Sequence, residues 1–224
     1  MVLSILEILE RGMSAYCESG IGLFDTQPIN TISNIMIIIF AYFSYNLVKI
    51  YRIKNSTIRM LPLIAVLTGV GSMFWHGMPG PFTRWADTLP ISLFLLVSFF
   101  YLLNRILPNR GLVWGTLFVF VLIEIPFIFG ILPSFNGFIS YLIALVFGLF
   151  VFFGLARKYN TLLSQLIPIV ILFITAFFFR TIDFTTCSAF PLGTHFMWHV
   201  IIGVTFYFFI RLLVKIEKKR IGTK

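Results

Sequence analysis

The sequence predicts an all-α membrane protein: seven transmembrane helices, with the N-terminus outside and the C-terminus in the cytoplasm. Three observations predict it. Of 224 residues, 59% are hydrophobic and only 11% are charged, against roughly 25% charged in a soluble domain. Seven apolar runs recur between Lys/Arg or Pro/Gly clusters. None alternates with the period of two of a membrane β-strand, and most exceed the about 9 to 11 residues such a strand needs. Finally, Lys and Arg are distributed unevenly about those seven runs, which sets an orientation.

Residues 1–27 form an outer N-terminal segment. Within it, Val2, Ile5, Leu6, Leu9 and Met13 recur at helical spacing opposite Glu7, Glu10 and Arg11, the pattern of a short helix lying in the membrane interface. A positive n-region and a small-residue cleavage site are missing, which argues against a signal peptide. Residues 28–214 form the transmembrane domain, with spans over 29–50, 60–75, 89–103, 112–129, 138–155, 162–179 and 195–213. A span uses about 20 residues, so seven leave only short loops and no room for a large extramembrane domain. Residues 215–224 are a basic cytoplasmic tail.

Fourteen of the seventeen Lys and Arg fall on one side of this arrangement. They lie after the first span (Lys49, Arg52, Lys54, Arg59), after the third (Arg105, Arg110), after the fifth (Arg157, Lys158) and at the C-terminal end. Only Arg11, Arg84 and Arg180 fall on the other. Under the positive-inside rule the basic side is cytoplasmic. The net charge of +9 is therefore a topology signal and implies no nucleic-acid partner.

All three histidines, both cysteines and most carboxylates fall on the opposite, outer side. Ser72 and His76, four apart at the outer end of the second span, share one helix face. Eleven residues past His76, beyond the Pro79-Gly80-Pro81 break, Asp87 opens the third span and can return beside the imidazole. His195 and His199 form an i, i+4 pair at the outer end of the last span, able to chelate one metal from one helix face. Three imidazoles at one depth match the three-ligand, one-open-position pattern of a catalytic zinc site. A single interfacial His also serves as a polar anchor or in an interhelical hydrogen bond; convergence of all three favours the metal.

These residues carry a resemblance. Tyr16-Cys17-Glu18, Asn30-Thr-Ile-Ser33-Asn34, Gly71-Ser72-x-x-x-His76 followed by Asp87 and Pro90, Arg180-x-x-Asp183-x-x-x-Cys187, and His195-x-x-Trp198-His199 resemble, in order and over essentially the whole chain, the motif series of the alkaline ceramidase family. That family sits in a superfamily of seven-helix proteins with the adiponectin receptors and the hemolysin III-like proteins. The resemblance implies that His76, His195 and His199 ligate zinc. It implies that Ser72 is the active-site serine that steadies an oxyanion, and that Asp87 is the general base holding the metal-bound water. It further implies that Cys17 and Cys187 tie the N-terminal segment to the last outer loop. They are the only cysteines in the chain and both fall on the oxidising side, so a disulfide is expected.

The family's calcium site is where this sequence departs. Glu18 is kept, but Gln27 stands where the family has a further Glu, three residues before Asn30. Ala15 offers no side-chain ligand, and the intervening segment is two residues shorter. Glu18 and Asp25 remain as calcium candidates, a thin set for an ion that takes about 6 to 8 oxygens. Arg180 and Asp183, three apart, are expected to form a structural ion pair. Glu124, inside the fourth span two residues before Pro126, has no partner legible in the sequence. Trp75, Trp85 and Trp198 are expected in the interfacial aromatic belt.

The implied activity is a zinc-dependent amidohydrolase acting on a membrane lipid, ceramide or a related acyl amide, in an integral multi-pass protein whose site lies near the non-cytoplasmic leaflet. Gly69, Gly71, Gly148, Gly154 and Gly203 fit either an acyl-chain cavity or close helix packing. The competing reading is a seven-helix receptor or lipid sensor with a structural zinc site. A structural site would ordinarily be closed by a fourth protein ligand, and Ser72 and Asp87 beside the histidines favour catalysis.

Overall fold

The computed structural model describes residues 16–18, 26–135, 137–159 and 163–222. Among the described residues it is helical without strands: α1 (Pro28–Ser33), α2 (Ile35–Ile50), α3 (Ser56–Gly77), α4 (Pro81–Ile106), α5 (Arg110–Ile128), α6 (Phe138–Lys158), α7 (Leu163–Thr186) and α8 (His195–Gly222). With α1 and α2 running on as one span, Pro28–Ile50, seven segments are long and apolar enough to cross a membrane. Large apolar side chains such as Phe82, Phe118, Phe150 and Ile171 are exposed along them, a surface suited to lipid. The chain is an integral multi-pass membrane protein. The interfacial helix expected over residues 1–12 lies outside the described residues, as does Asp25.

The helix ends follow local chemistry. Asn55 and Asn109 cap α3 and α5 by accepting from the amides of Ile58 and Leu112, donors that the first turn leaves without an intrahelical partner. The third span differs most from expectation. The helix begins at Pro81 rather than near residue 89, because proline's fixed φ suits the first helical position and its missing N–H costs nothing there. Thr83 Oγ1 donates to the carbonyls of Met78 and Gly80, closing the turn. Asp87 therefore sits on a helix, not at the end of a loop.

The helices form two compact units, Met1–Phe94 with Ile171–Lys224, and Leu95–Val170. In the first, α2 packs on both α3 and α8 over a core that includes Ile37, Ala41, Leu61, Ala65, Ile210 and Leu213. Glycines set the approach. A Cβ on Gly203 would meet the Met36 carbonyl at 2.9 Å and the Ile37 backbone at 3.1 Å, and one on Gly69 would meet Ile38 Cγ1 at 2.8 Å. In the second unit, Phe99, Phe120 and Phe147 pack ring on ring with centroids 4.6 to 5.4 Å apart. Gly154 lies against Ile106. At Gly69, Gly154 and Gly203 the glycines thus serve helix packing. Glu124 finds a partner that the sequence did not show, the Ser140 hydroxyl on α6.

Candidate metal and catalytic centre

The centre lies within the first unit. His76 is one residue from the end of α3, His195 opens α8 and His199 follows one turn later. All three are about 1% exposed. Their ring centroids are 4.7 to 5.0 Å apart, and one nitrogen from each ring lies within 4.8 Å of the others. The expectation that the three histidines converge holds.

Each imidazole is positioned separately. His76 Nδ1–H donates to Gln27 Oε1 at 2.6 Å, an oxygen that also accepts from Asn30 Nδ2 at 3.2 Å. Ser33 Oγ spends its one proton on the Asn30 carbonyl at 2.9 Å and so accepts from His199 Nδ1 at 2.8 Å. Both rings thereby present Nε2 as a lone pair. His195 is placed through its backbone. Its amide and that of Thr194 donate to Asp183 Oδ1 at 2.8 and 2.6 Å, so Asp183 caps the start of α8. His195 Nδ1 is buried with no hydrogen-bond partner among the described residues.

Two rings with fixed lone pairs and a third with a buried, unpartnered nitrogen form a donor set that fits a divalent metal. Imidazole nitrogens suit zinc among other transition metals. Three protein ligands leave a fourth position open.

Ser72, one turn before His76 and buried, donates toward the Asp87 carboxylate. Gly71 makes that pair attainable. A Cβ there would overlap the Ala86 carbonyl and lie 3.2 Å from the Asp87 amide, so only glycine lets α4 come this close to α3. Ser72 and Asp87 are thus brought together.

The disulfide joins Cys17 to Cys187 across 170 residues of sequence, with a Cα separation of 5.0 Å. The Cys17 amide donates to Asp183 Oδ2 at 3.0 Å, so a single carboxylate ties the N-terminal segment to the start of α8. Gly193 turns the chain there with φ +65°, and a Cβ on it would collide with Asp183 Oδ1. Asp183 thus accepts the backbone amides of Cys17, Thr194 and His195. The Arg180 guanidinium lies over the rings of Tyr16 and Trp198, 5.9 and 5.4 Å from their centroids. Trp198 is buried and also meets Phe173, which takes it out of the expected aromatic belt. Both Glu18 oxygens accept amides that open α1, Ile29 at 2.6 Å and Asn30 at 2.8 Å.

The sequence model of the ceramidase family matches residues 23–223, nine-tenths of the chain and every centre residue described above except Tyr16, Cys17 and Glu18. The chain belongs to the ceramidase family. A comparison with curated proteins finds no match. Membership makes this protein a ceramidase-like hydrolase, and its histidine cluster a centre that can hold a metal.

Three contributors to this ceramidase centre were not assigned such roles from the sequence. Gln27 and Ser33 orient the rings of His76 and His199, and Tyr16 packs against His195 and His76 with centroids 4.1 and 5.1 Å apart. One signal was available. Thr26, Gln27, Asn30, Thr31, Ser33 and Asn34 crowd the start of an otherwise apolar span, and polar groups within a membrane span are costly unless they have work to do.

Proposed function

We propose that this protein is a zinc-dependent intramembrane lipid amide hydrolase that cleaves ceramide to sphingosine and a fatty acid. The observation that carries the reading is the cluster of three buried imidazoles with the Ser72–Asp87 pair at the α3–α4 contact, one turn from His76. Zinc, held by His76, His195 and His199, would supply an activated water and polarise the amide carbonyl. Asp87 accepts the proton that the attacking water gives up and returns it to the departing amine. The carbon–oxygen bond forms first, with charge passing to the amide oxygen; the carbon–nitrogen bond then breaks as the amine takes up the proton, and the products are an amine and a carboxylic acid. Ser72, one turn from His76, can redirect its hydroxyl from Asp87 to the amide oxygen as charge builds there. Burial of the histidines among helices keeps bulk water away and suits a lipid that arrives from the bilayer.

The test uses purified full-length protein in detergent or nanodiscs with defined ceramide. His199→Ala and Asp87→Ala are expected to abolish sphingosine release, with membrane insertion and the disulfide intact. Stripping the metal by chelation should abolish turnover, and added zinc should restore it. Turnover retained in metal-free protein would overturn the mechanism.

A further inference from the structure

Helix α1 is short, yet two of the three imidazoles are held from it or from its cap. Gln27 is the residue before Pro28, and proline keeps its predecessor extended; its φ of −144° and ψ of 75° leave it outside the helix. A residue at this position ordinarily turns its side chain back to cap the first amides. Here Glu18 has taken the amides of Ile29 and Asn30 with its two oxygens. The Gln27 backbone carbonyl takes Thr31 N and Thr31 Oγ1 at 2.8 and 2.7 Å. The side-chain amide, 1% exposed, is thereby released from capping and reaches His76, 49 residues away in sequence.

We infer that Gln27 is a positioning residue for the metal: its amide oxygen, oriented by Asn30 Nδ2, holds His76 in the tautomer that keeps Nε2 free to ligate, and Ser33 does the same for His199. The assignment of donors follows from proton count. Gln27 Oε1 has no hydrogen to give, so the proton in the 2.6 Å bond belongs to His76. Ser33 has one hydrogen and gives it to Asn30, so the proton in the 2.8 Å bond belongs to His199. An acceptor at Nδ1 fixes the ring and raises the basicity of the ligating nitrogen, and losing one typically costs about 10- to 100-fold in metal affinity. Residues 26–33 are then not only a helix start but the part of the chain that prepares two ligands before the metal arrives. Thr26 Oγ1, which donates to the Gly77 carbonyl at 3.2 Å, pins this segment to the end of α3 beside His76.

This inference rests on the metal reading of the histidine cluster, and the experiment separates the two. Zinc affinity of the full-length protein is measured by competition with a chelator, and the absorption spectrum of the cobalt-substituted protein reports the ligand field. Disulfide formation and thermal unfolding of metal-free protein serve as folding controls. Gln27→Leu should weaken zinc binding about 10- to 100-fold and alter the cobalt spectrum, with the controls unchanged. Gln27→Glu keeps an acceptor and should hold zinc at least as tightly as the wild type. Ser33→Ala, a loss of one oxygen, should weaken zinc within the same range and gives a second arm if Gln27→Leu folds poorly. Wild-type affinity in Gln27→Leu or in Ser33→Ala, or a loss in Gln27→Glu equal to that in Gln27→Leu, would overturn the inference. A wild-type protein that binds no zinc would overturn the metal reading itself.

Discussion

Ser72 has one proton and two claims upon it. In the structure it donates toward Asp87, which orients the carboxylate; in the proposed reaction the same proton is needed at the amide oxygen. If the second claim carries the catalytic effect, Ser72→Ala should lower kcat about 10²- to 10³-fold, the usual cost of losing one oxyanion donor, with zinc content and KM near those of the wild type. An unchanged kcat would leave Ser72 only the task of orienting Asp87. The convergence of the three histidines was legible because their chemistry is rare in this chain, three in 224 residues. Gln27 and Ser33 were harder to see. An amide or hydroxyl has many uses at a helix end, and nothing in the local sequence says that its acceptor oxygen will meet a histidine 49 or 166 residues away. Asp183 has a task that its spacing from Arg180 did not suggest: its carboxylate takes the open amides at the start of α8, since a helix N-terminus offers both unpaired donors and a favourable dipole.

At the scale of elements, the crossing of α3 and α4 decides whether Asp87 is in place. Gly71 sits where the Ala86 carbonyl approaches, and α3 cannot yield on its other side, because Gly69 is already packed against Ile38 and the Asn34 carbonyl. A methyl group at position 71 must therefore push α4 outward. Gly71→Ala is expected to lower kcat about 10²-fold, the scale of a 1 Å misplacement of a reacting group, while zinc is retained because no zinc ligand lies on α4. Loss of zinc together with activity would mean that α3 gave way instead. The spans themselves were legible, seven expected and seven found, because apolar length is a direct physical requirement of crossing a bilayer. Their ends were less so. The third begins about two turns earlier than its apolar run, since Pro81 starts a helix where its neighbours in sequence, Pro79 and Gly80, suggested only a break; Thr83 and the carbonyls of Met78 and Gly80 complete that start.

At the scale of the whole chain, two independent features bear on which side of the membrane carries the centre. The first is the basic residues, fourteen of seventeen of which fall on the side away from the histidines when the seven spans are threaded in order. The second is the Cys17–Cys187 disulfide, which persists only in an oxidising compartment and lies beside Asp183 and the start of α8. Charge bias acts during insertion and the disulfide records the compartment afterwards, so their agreement is more than one argument made twice. On both grounds we propose that the centre faces the non-cytoplasmic side, with the N-terminus outside and the basic tail of α8 within. The prediction is that a glycosylation acceptor inserted in the turn over residues 131–135, between α5 and α6, is modified in microsomes, whereas one inserted at residues 52–55, between α2 and α3, is not. Alkylation before and after reduction should in parallel show both cysteines protected until reductant is added. Glycosylation at 52–55 and none at 131–135 would reverse the topology and would leave the disulfide facing a compartment that reduces it.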